Sequence, residues 1–116
     1  MFAVCFTDDA VRDVKALRKA VRNSLRKAIM GTLAVDPVRH STELRSPLEQ
    51  FRSFHWRRYR VVFKVYAERR AVAIVGLGER AAQSRWNIYR RLEELARQGG
   101  RANAILTTMR GFLDSP

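Results

Sequence analysis

Two apolar runs separated by a short charged break place the tightest constraint on what this chain folds into. The runs cover residues 59–66 and 71–77, and the break is Glu68-Arg69-Arg70. Both runs are rich in β-branched and aromatic residues, a composition typical of paired strands. We therefore predict an antiparallel hairpin from these runs. A further strand is predicted over residues 51–56, connected to the hairpin by a turn at Arg57-Arg58.

Residue alternation divides the strand over 59–66 into two different faces, because successive side chains of a strand point to opposite sides. One face is wholly apolar or aromatic and is predicted to lie in the core: Tyr59, Val61, Phe63 and Val65. The other, which we call the second face, mixes cations with uncharged residues: Arg60, Val62, Lys64 and Tyr66. At a rise of roughly 3.3 Å per residue its two cations lie about 13 Å apart.

The N-terminal half has the pattern of one short strand followed by two helices. Residues 2–6 form an apolar run, and Thr7-Asp8-Asp9 can accept hydrogen bonds from the first turn of a helix. Apolar residues then recur at helical spacing from Ala10 to Leu33. We expect a break between the two helices at Asn23-Ser24, and Asp36-Pro37 to stop the second, since the residue before proline avoids helical backbone.

The C-terminal part is predicted to be helical. A third helix begins at Ala81 or Ser84, runs to about residue 98 and ends at Gly99-Gly100, which can supply a left-handed cap. Residues 102–113 suggest a final short helix. The predicted fold class is α+β: two N-terminal helices packed on an antiparallel sheet of about four strands, with a C-terminal helix. Residues 1–98 form the main domain, and residues 99–116 are a helical extension of it.

The charge balance predicts a polyanionic partner. The chain has 23 Lys and Arg against 11 Asp and Glu, a formal net charge of +12, and 47% hydrophobic residues argue against general disorder. Such a surface fits nucleic acid, an anionic membrane or an acidic protein. A merely soluble basic surface is the simpler alternative. For the basic residues of the first two helices, a solvated helix face is favoured over contact with a large RNA.

Several classes of protein find no support in the sequence. Cys5 is the single cysteine, so no intramolecular disulfide or cysteine-based zinc site forms, and we expect a buried strand thiol in a reducing cytoplasm. No signal-peptide pattern and no apolar run of about 18 residues is present. The two histidines, His40 and His55, lack metal-site spacing, and no phosphate-binding glycine loop occurs. We expect no metal and no cofactor.

Two arginines of the predicted hairpin suit phosphate chemistry. Arg60 begins one strand and Arg80 follows the other, so both lie near the open end of the hairpin. Cleavage of RNA through its own 2′-hydroxyl needs a base, an acid and cations that stabilise the charged transition state. Arg60 and Arg80 fit the cation role, although phosphate positioning or plain surface charge would also explain them.

The proton-transfer groups are less constrained. His55 suits a base or an acid because imidazole titrates near neutrality, but it could equally be an ordinary surface histidine. Tyr89 is the candidate proton donor or base-stacking residue, with Tyr59 and Tyr66 as alternatives. The other cations of this region are predicted to contact RNA: Arg52, Arg57, Arg58 and Lys64.

The order of these motifs resembles the RelE/ParE superfamily of type II toxins over about residues 1–97. The matching pieces are two basic N-terminal helices, the Asp36-Pro37 stop, a polar loop through Glu43-Leu44-Arg45, the strand Tyr59-Arg60-Val61-Val62-Phe63 and the strand exit Gly78-Glu79-Arg80. The resemblance implies a small cytoplasmic bacterial toxin neutralised by an adjacent, often acidic antitoxin. The resemblance implies one of two activities for such a toxin. RelE-like members cut mRNA in the ribosomal A site, whereas ParE-like members poison DNA gyrase and are not nucleases.

The resemblance also implies roles for individual residues. Arg60 matches the strand arginine and Arg80 the strand-exit arginine, both catalytic in the RelE branch, while Tyr89 matches the C-terminal tyrosine loosely. The chain departs from the family pattern where some members carry catalytic lysines, since that strand holds Phe51, Ser53 and His55. The leading interpretation is a ribosome-dependent mRNA endonuclease. The alternatives are a gyrase poison on the same fold and an inactive relative that only binds nucleic acid.

Overall fold

The structure, a computed structural model, describes residues 1–45, 48–79 and 107–108. Its elements in chain order are β1 (Ala3–Phe6), α1 (Asp8–Lys15), α2 (Lys19–Gly31), β2 (Thr42–Glu43), β3 (Arg52–Trp56), β4 (Tyr59–Tyr66), a 3-10 turn (Ala67–Arg69), β5 (Ala71–Glu79) and β6 (Thr107–Thr108). The strands form one sheet in the order β2-β3-β4-β5-β1-β6. Both helices pack on one face of this sheet, so the predicted α+β class is confirmed.

The sheet is mixed, whereas the sequence predicts an antiparallel one. The β2, β3, β4 and β5 strands are antiparallel neighbours, but β1 lies parallel to β5 with Ala3 opposite Ala71 and Phe6 opposite Ile74. In chain order, α1 and α2 lie between β1 and the hairpin. This long connection allows β1 to pair with the edge of β5 that β4 does not occupy. Alternation within a strand predicts which residues share a face, but it does not identify the neighbouring strand.

The start of α1 agrees with the sequence prediction, and the later helix boundaries do not. The Thr7 Oγ1 accepts a hydrogen bond from the Ala10 N–H at 3.3 Å, as expected of an N-cap residue. The interhelical break lies at residues 16–18, and Asn23-Ser24 lies inside α2. Arg18, with a ψ of 148°, supplies the extended backbone between the helices.

The predicted stop at Asp36-Pro37 is wrong, because α2 already ends at Gly31. The physical reason is tertiary. Leu33 and Ala34 are fully buried just after the helix, and the Ala34 carbonyl accepts from the Phe2 N–H at 2.7 Å. The chain therefore leaves the helix early to place these residues in the core beside the start of β1.

The hairpin agrees closely with its prediction. The β4 strand has the predicted bounds, β3 begins one residue later than predicted, and β5 continues two residues further, to Glu79. Arg57-Arg58 forms the two-residue turn between β3 and β4, with Arg57 at a left-handed φ of 55°. A bulge interrupts the β4–β5 pairing, because Val62 lies opposite Gly76 and Phe63 opposite Ile74, which leaves Val75 as the extra residue.

Apolar residues are buried on both faces of the sheet. Tyr59, Val61 and Phe63 pack with α1 and α2 in the larger core, and Val65 packs against it half-buried, which confirms the predicted core face. On the second face, a smaller cluster covers the middle of the sheet and includes residues of the loop before β3: Leu44, Leu48, Phe51, Val62 and Val75.

Most of the predicted C-terminal structure lies outside the described residues, including the third helix, the Gly99-Gly100 cap and nearly all of the 99–116 extension. One part differs from the prediction. Thr107–Thr108 is a strand that pairs antiparallel with Phe6 and Cys5, where a short helix is predicted over 102–113. The outer edge of β1 offers backbone partners there, and β-branched threonine suits a strand. None of the helices described is long and apolar enough to cross a membrane.

Thr7 provides a test of the helix start. Replacing Thr7 with Ala removes a hydroxyl that makes two hydrogen bonds. It accepts from the Ala10 N–H as the N-cap of α1 and donates to the Val75 carbonyl at 3.4 Å. We expect Thr7→Ala to lower the free energy of unfolding by about 1–2 kcal/mol, measured by urea denaturation. Thr7→Ser keeps the hydroxyl and should recover most of this loss. Equal losses in the two variants would contradict a capping role for the oxygen.

Candidate functional site

His55 and Arg60 form a directly opposed pair on the second face of the sheet. They are register partners in β3 and β4, so their Cβ atoms lie about 4.5–5.5 Å apart. The neighbouring pairs, Phe54 with Val61 and Trp56 with Tyr59, point to the helix side. His55 is exposed and Arg60 is half-buried. An imidazole and a guanidinium are therefore juxtaposed on the face that the helices leave uncovered.

Glycines of β5 lie beside this pair. Arg60 is opposite Gly78, and its neighbour on the same face, Val62, is opposite Gly76. Because glycine has no side chain, β5 contributes only backbone atoms beside the Arg60 guanidinium, which leaves space next to it. The Leu44, Leu48 and Phe51 cluster covers the sheet around Val62 and Val75 instead. The His55–Arg60 pair thus lies at the β3–β4 turn end, next to this apolar cover.

Ser53 is a further polar residue of this face. It lies opposite Val62 in the register and only 3% of it is exposed. In the part of the chain that the structure describes, neither its Oγ nor the Nε of Arg60 has a hydrogen-bond partner, and both atoms are buried. Sequence reasoning did not select Ser53. Its position two residues before His55 places both residues on one face of the strand. Its closeness to Arg60 can be recognised only from the pairing register of β3 and β4.

Arg80 and Tyr89, the other two predicted catalytic residues, lie outside the described residues. Gly78, the register partner of Arg60, precedes Arg80 by two positions in the sequence. Of the alternatives to Tyr89, Tyr59 is 8% exposed on the core side, and Tyr66 is at the other end of β4. The structure therefore brings together two of the four predicted catalytic residues, His55 and Arg60.

Arg52 is on the opposite side of the sheet from Arg60. It is the register partner of the core residue Phe63. Its Nε donates to the Ser41 Oγ at 2.7 Å, and its Nη2 donates to the carbonyls of Val38 and Ser41 at 3.2 and 3.1 Å. These contacts tie the guanidinium to the chain that follows α2. The structure gives Arg52 a role in holding that loop, and its contact with RNA stays a prediction.

The arginines of the β3–β4 turn stack on aromatic rings. The guanidinium of Arg57 lies 4.5 Å from the Trp56 ring centre, and that of Arg58 lies 5.4 Å from the Tyr59 ring centre. The two rings are themselves stacked, with centres 5.9 Å apart. Trp56 and Tyr59 belong to the helix side, so the turn arginines are not on the face of His55 and Arg60. Their predicted RNA contacts stay predictions.

Lys64 shares the second face with Arg60, as the alternation predicts. Its Nζ lies 5.0 Å from the centre of the Tyr66 ring, toward the far end of β4. This cation–π contact directs the ammonium away from Arg60. Lys64 is therefore a second, separate positive charge on the same face, and its binding to RNA stays a prediction.

A cleft of about 690 Å³ lies near the same end of the sheet but on its helix side. Its lining includes Asp13, Arg18, Arg58 and Tyr59, and it contains neither His55 nor Arg60. The Asp13 Oδ2 accepts a hydrogen bond from the Leu77 N–H at 3.0 Å, which fastens α1 to β5. The cleft mixes both signs of charge, and polar atoms make up most of its lining. The paired His55 and Arg60, rather than this cleft, have the residue types for phosphate chemistry.

Solved structures identify the class of protein to which this fold belongs. A chain of the RelBE2 toxin–antitoxin complex of Mycobacterium tuberculosis matches with 26% identity and a TM-score of 0.64, covering 68% of this chain and 98% of that one. The isolated Escherichia coli RelE toxin matches with 21% identity and a TM-score of 0.60, covering 78% and 98%. The chain is a type II toxin of the RelE/ParE superfamily.

The family within this class is shown by the sequence. Residues 4–83 match the model for the ParE toxin of type II toxin–antitoxin systems, and the chain belongs to that family. The intact Escherichia coli RelBE complex is a further structural match, with 19% identity, a TM-score of 0.57 and coverage of 70% and 99%. No curated protein matches the chain.

Arg52 allows a loop-holding role to be separated from RNA binding. We expect Arg52→Ala to lower the free energy of unfolding by about 1–2 kcal/mol, because three hydrogen bonds to the loop are lost from a partly exposed guanidinium. Arg52→Lys should not restore stability, since lysine lacks the planar fork. Chemical denaturation measures both variants. If lysine restores full stability, charge rather than the hydrogen-bonded fork is what matters at this position.

Cys5 provides a pH-dependent test of burial on the second face. It lies opposite Ala73 in the β1–β5 register, and burial raises the pKa of its thiol because the thiolate is disfavoured away from water. We expect its alkylation rate by iodoacetamide to reach half of its maximum at a higher pH in the folded protein than in urea. An identical profile in both states would show that the thiol is not desolvated.

Proposed function

We propose that this toxin is an endoribonuclease that cleaves mRNA on the ribosome and so inhibits translation. The observation that carries the proposal is the pairing of His55 with Arg60 on the second face, beside the glycines of β5. An exposed imidazole can exchange a proton with a bound RNA, and the guanidinium next to it can hold the phosphate. The fold shared with RelE adds support to this reading.

The proposed reaction uses the RNA as its own nucleophile. The 2′-oxygen attacks the adjacent phosphorus, the bond from phosphorus to the 5′-oxygen breaks, and the products are a 2′,3′-cyclic phosphate and a 5′-hydroxyl. A base removes the 2′-hydroxyl proton and an acid protonates the departing oxygen. Arg60 stabilises the negative charge that grows on the phosphate oxygens. The chemistry consumes no co-reactant.

His55 takes one of the two proton-transfer roles in this proposal. It stands in the strand where some RelE-like toxins have catalytic lysines, so an imidazole replaces the ammonium group in this chain. Arg80 supplies a second cation and Tyr89 the other proton-transfer group, both on the strength of the sequence resemblance. The remaining cations, Arg52, Arg57, Arg58 and Lys64, add to the long-range attraction of the protein for RNA.

An antitoxin protein is the proposed partner in the cell. The chain has a formal net charge of +12, which favours association with an acidic protein. Two of the structural matches, RelBE2 and RelBE, are toxin–antitoxin complexes that contain a chain with this fold. We propose that a cognate acidic antitoxin covers the second face and blocks access to Arg60 in the cytoplasm.

Poisoning of DNA gyrase is a second candidate function. It is favoured by one observation: the family model that matches residues 4–83 is that of the ParE toxin. In that case the same basic face would bind a protein or its DNA complex, and His55 would have no chemical role. The two functions therefore differ in what they require of His55.

Substitutions at the pair test the nuclease function. Primer extension on mRNA from cells that express the toxin should show discrete cuts, and Arg60→Ala should reduce them about 10²–10³-fold because an electrostatic stabiliser is lost. His55→Ala should reduce them about 10²-fold or more through loss of proton transfer. Arg69→Ala is the matched control, since it removes an exposed arginine at the opposite end of the hairpin. It should cut like the wild type.

Two results would contradict this function. Intact transcripts together with accumulated gyrase–DNA cleavage complexes would establish the gyrase function instead. Full toxicity and cleavage in Arg60→Ala would show that the site is elsewhere on the molecule.

A further inference from the structure

Two buried polar atoms on the second face are chemically complementary and unpaired. The Nε–H of Arg60 is a donor without an acceptor, and the Oγ of Ser53 is able to accept, within the portion of the chain described by the structure. Buried polar groups in folded proteins are nearly always hydrogen-bonded, so each unpaired atom calls for an explanation. Here the missing partner of each atom is present in the other residue.

The register brings these two residues within reach of each other. Ser53 is opposite Val62, and Arg60 is two residues before Val62 on the same face, so Ser53 and Arg60 are diagonal neighbours. Diagonal neighbours lie about 7–8 Å apart, which a long side chain spans. Ser53 is 3% exposed, so its hydroxyl is shielded from solvent and is better placed to support Arg60 than to touch a ligand.

The same chain already contains an arginine–serine bond of this type. The Nε of Arg52 donates to the Oγ of Ser41 at 2.7 Å, while the Nη2 of Arg52 binds two carbonyl oxygens. In that pair, the serine occupies the Nε edge and leaves the outer nitrogens to other acceptors. The Arg60–Ser53 pair has the same components, and among the described residues neither its donor nor its acceptor is engaged elsewhere.

We propose that Ser53 is the positioning residue for Arg60. When a phosphodiester of RNA binds, the Nε–H of Arg60 donates to the Ser53 Oγ, and the two Nη groups are presented together to the phosphate oxygens. A guanidinium held on its Nε edge binds phosphate through a fixed pair of donors. This assignment deepens the proposed nuclease function and rests on it. Ser53 acts through Arg60 and does not touch the RNA.

A double-mutant cycle on purified toxin with programmed ribosomes tests the assignment. We expect Ser53→Ala to lower kcat about tenfold with little change in KM, because the bond formed on binding holds the guanidinium where negative charge later grows, so its loss costs more in the transition state than in the bound state. Arg60→Lys removes the Nε–H and keeps a cation. In the Arg60→Lys background, Ser53→Ala should then have no further effect. Ser53→Thr keeps the hydroxyl and should restore most of kcat in the Arg60 background.

Thermal unfolding separates positioning from a merely structural role. Ser53→Ala removes a buried hydroxyl that has no hydrogen-bond partner among the described residues, so its melting temperature should equal or exceed that of the wild type while its kcat falls. A fall in both the melting temperature and kcat of Ser53→Ala would show that the serine acts through folding, and would overturn the proposal. Equal effects of Ser53→Ala on kcat in the wild type and in the Arg60→Lys variant would also overturn it, since the serine would act independently of Arg60.

An NMR measurement tests the pairing without any cleavage. With inorganic phosphate as the probe, hydrogen exchange of the Arg60 Nε–H should slow in the wild type and in Ser53→Thr, but not in Ser53→Ala. Unchanged exchange in the wild type would overturn the pairing. A wild type that cuts no RNA yet shows the slowed exchange would reject the nuclease function while supporting the pairing, so the two failures are distinct.

Discussion

The pairing of β4 with β3 on one side and β5 on the other determines where the described groups of the candidate site lie. Val61 and Phe63 hold β4 in the core beneath the helices, where they are 1% and 0% exposed. Because side chains alternate, this anchoring forces Arg60 onto the second face. A slip of one residue would exchange the two faces and bury a guanidinium, so the register is strongly determined by the hydrophobic core.

The same register gathers the described groups of the candidate site into a small area of the sheet. In β3, His55 lies directly opposite Arg60 and Ser53 is the diagonal neighbour of Arg60. In β5, Gly78 lies opposite Arg60. These residues come from three strands and need no long loop to meet. The site thus inherits the rigidity of the sheet, which suits a reaction that depends on holding a phosphate and a proton-transfer group at fixed separation. The RelE/ParE fold supplies this framework, and the residue types on it decide the chemistry.

Much of the site's location could be predicted from residue order alone. Alternation within residues 59–66 placed Arg60 and Lys64 on one face, and the structure agrees. The hairpin bounds followed from composition and from the turn at Arg57-Arg58. Less could be predicted where packing overrides local preference. The second helix ends at Gly31 and not at Asp36-Pro37, because Leu33 and Ala34 are drawn into the core. Arg52 resembled the other cations in sequence, yet it is bound to the loop at Ser41 on the helix side.

The class of fold, the two-sided character of β4 and the strong positive charge follow from the amino-acid sequence alone. These depend on local periodicity and composition, which act over a few neighbouring residues. The three-dimensional arrangement establishes that β1 lies parallel to β5 and that His55 faces Arg60. It also shows that, among the described residues, the Ser53 Oγ and the Arg60 Nε each lack a hydrogen-bond partner that the other could supply. Such relations depend on which strands become neighbours and in which register. Strand neighbours and register depend on the burial of residues that are far apart in the chain, so they cannot be predicted from local sequence patterns.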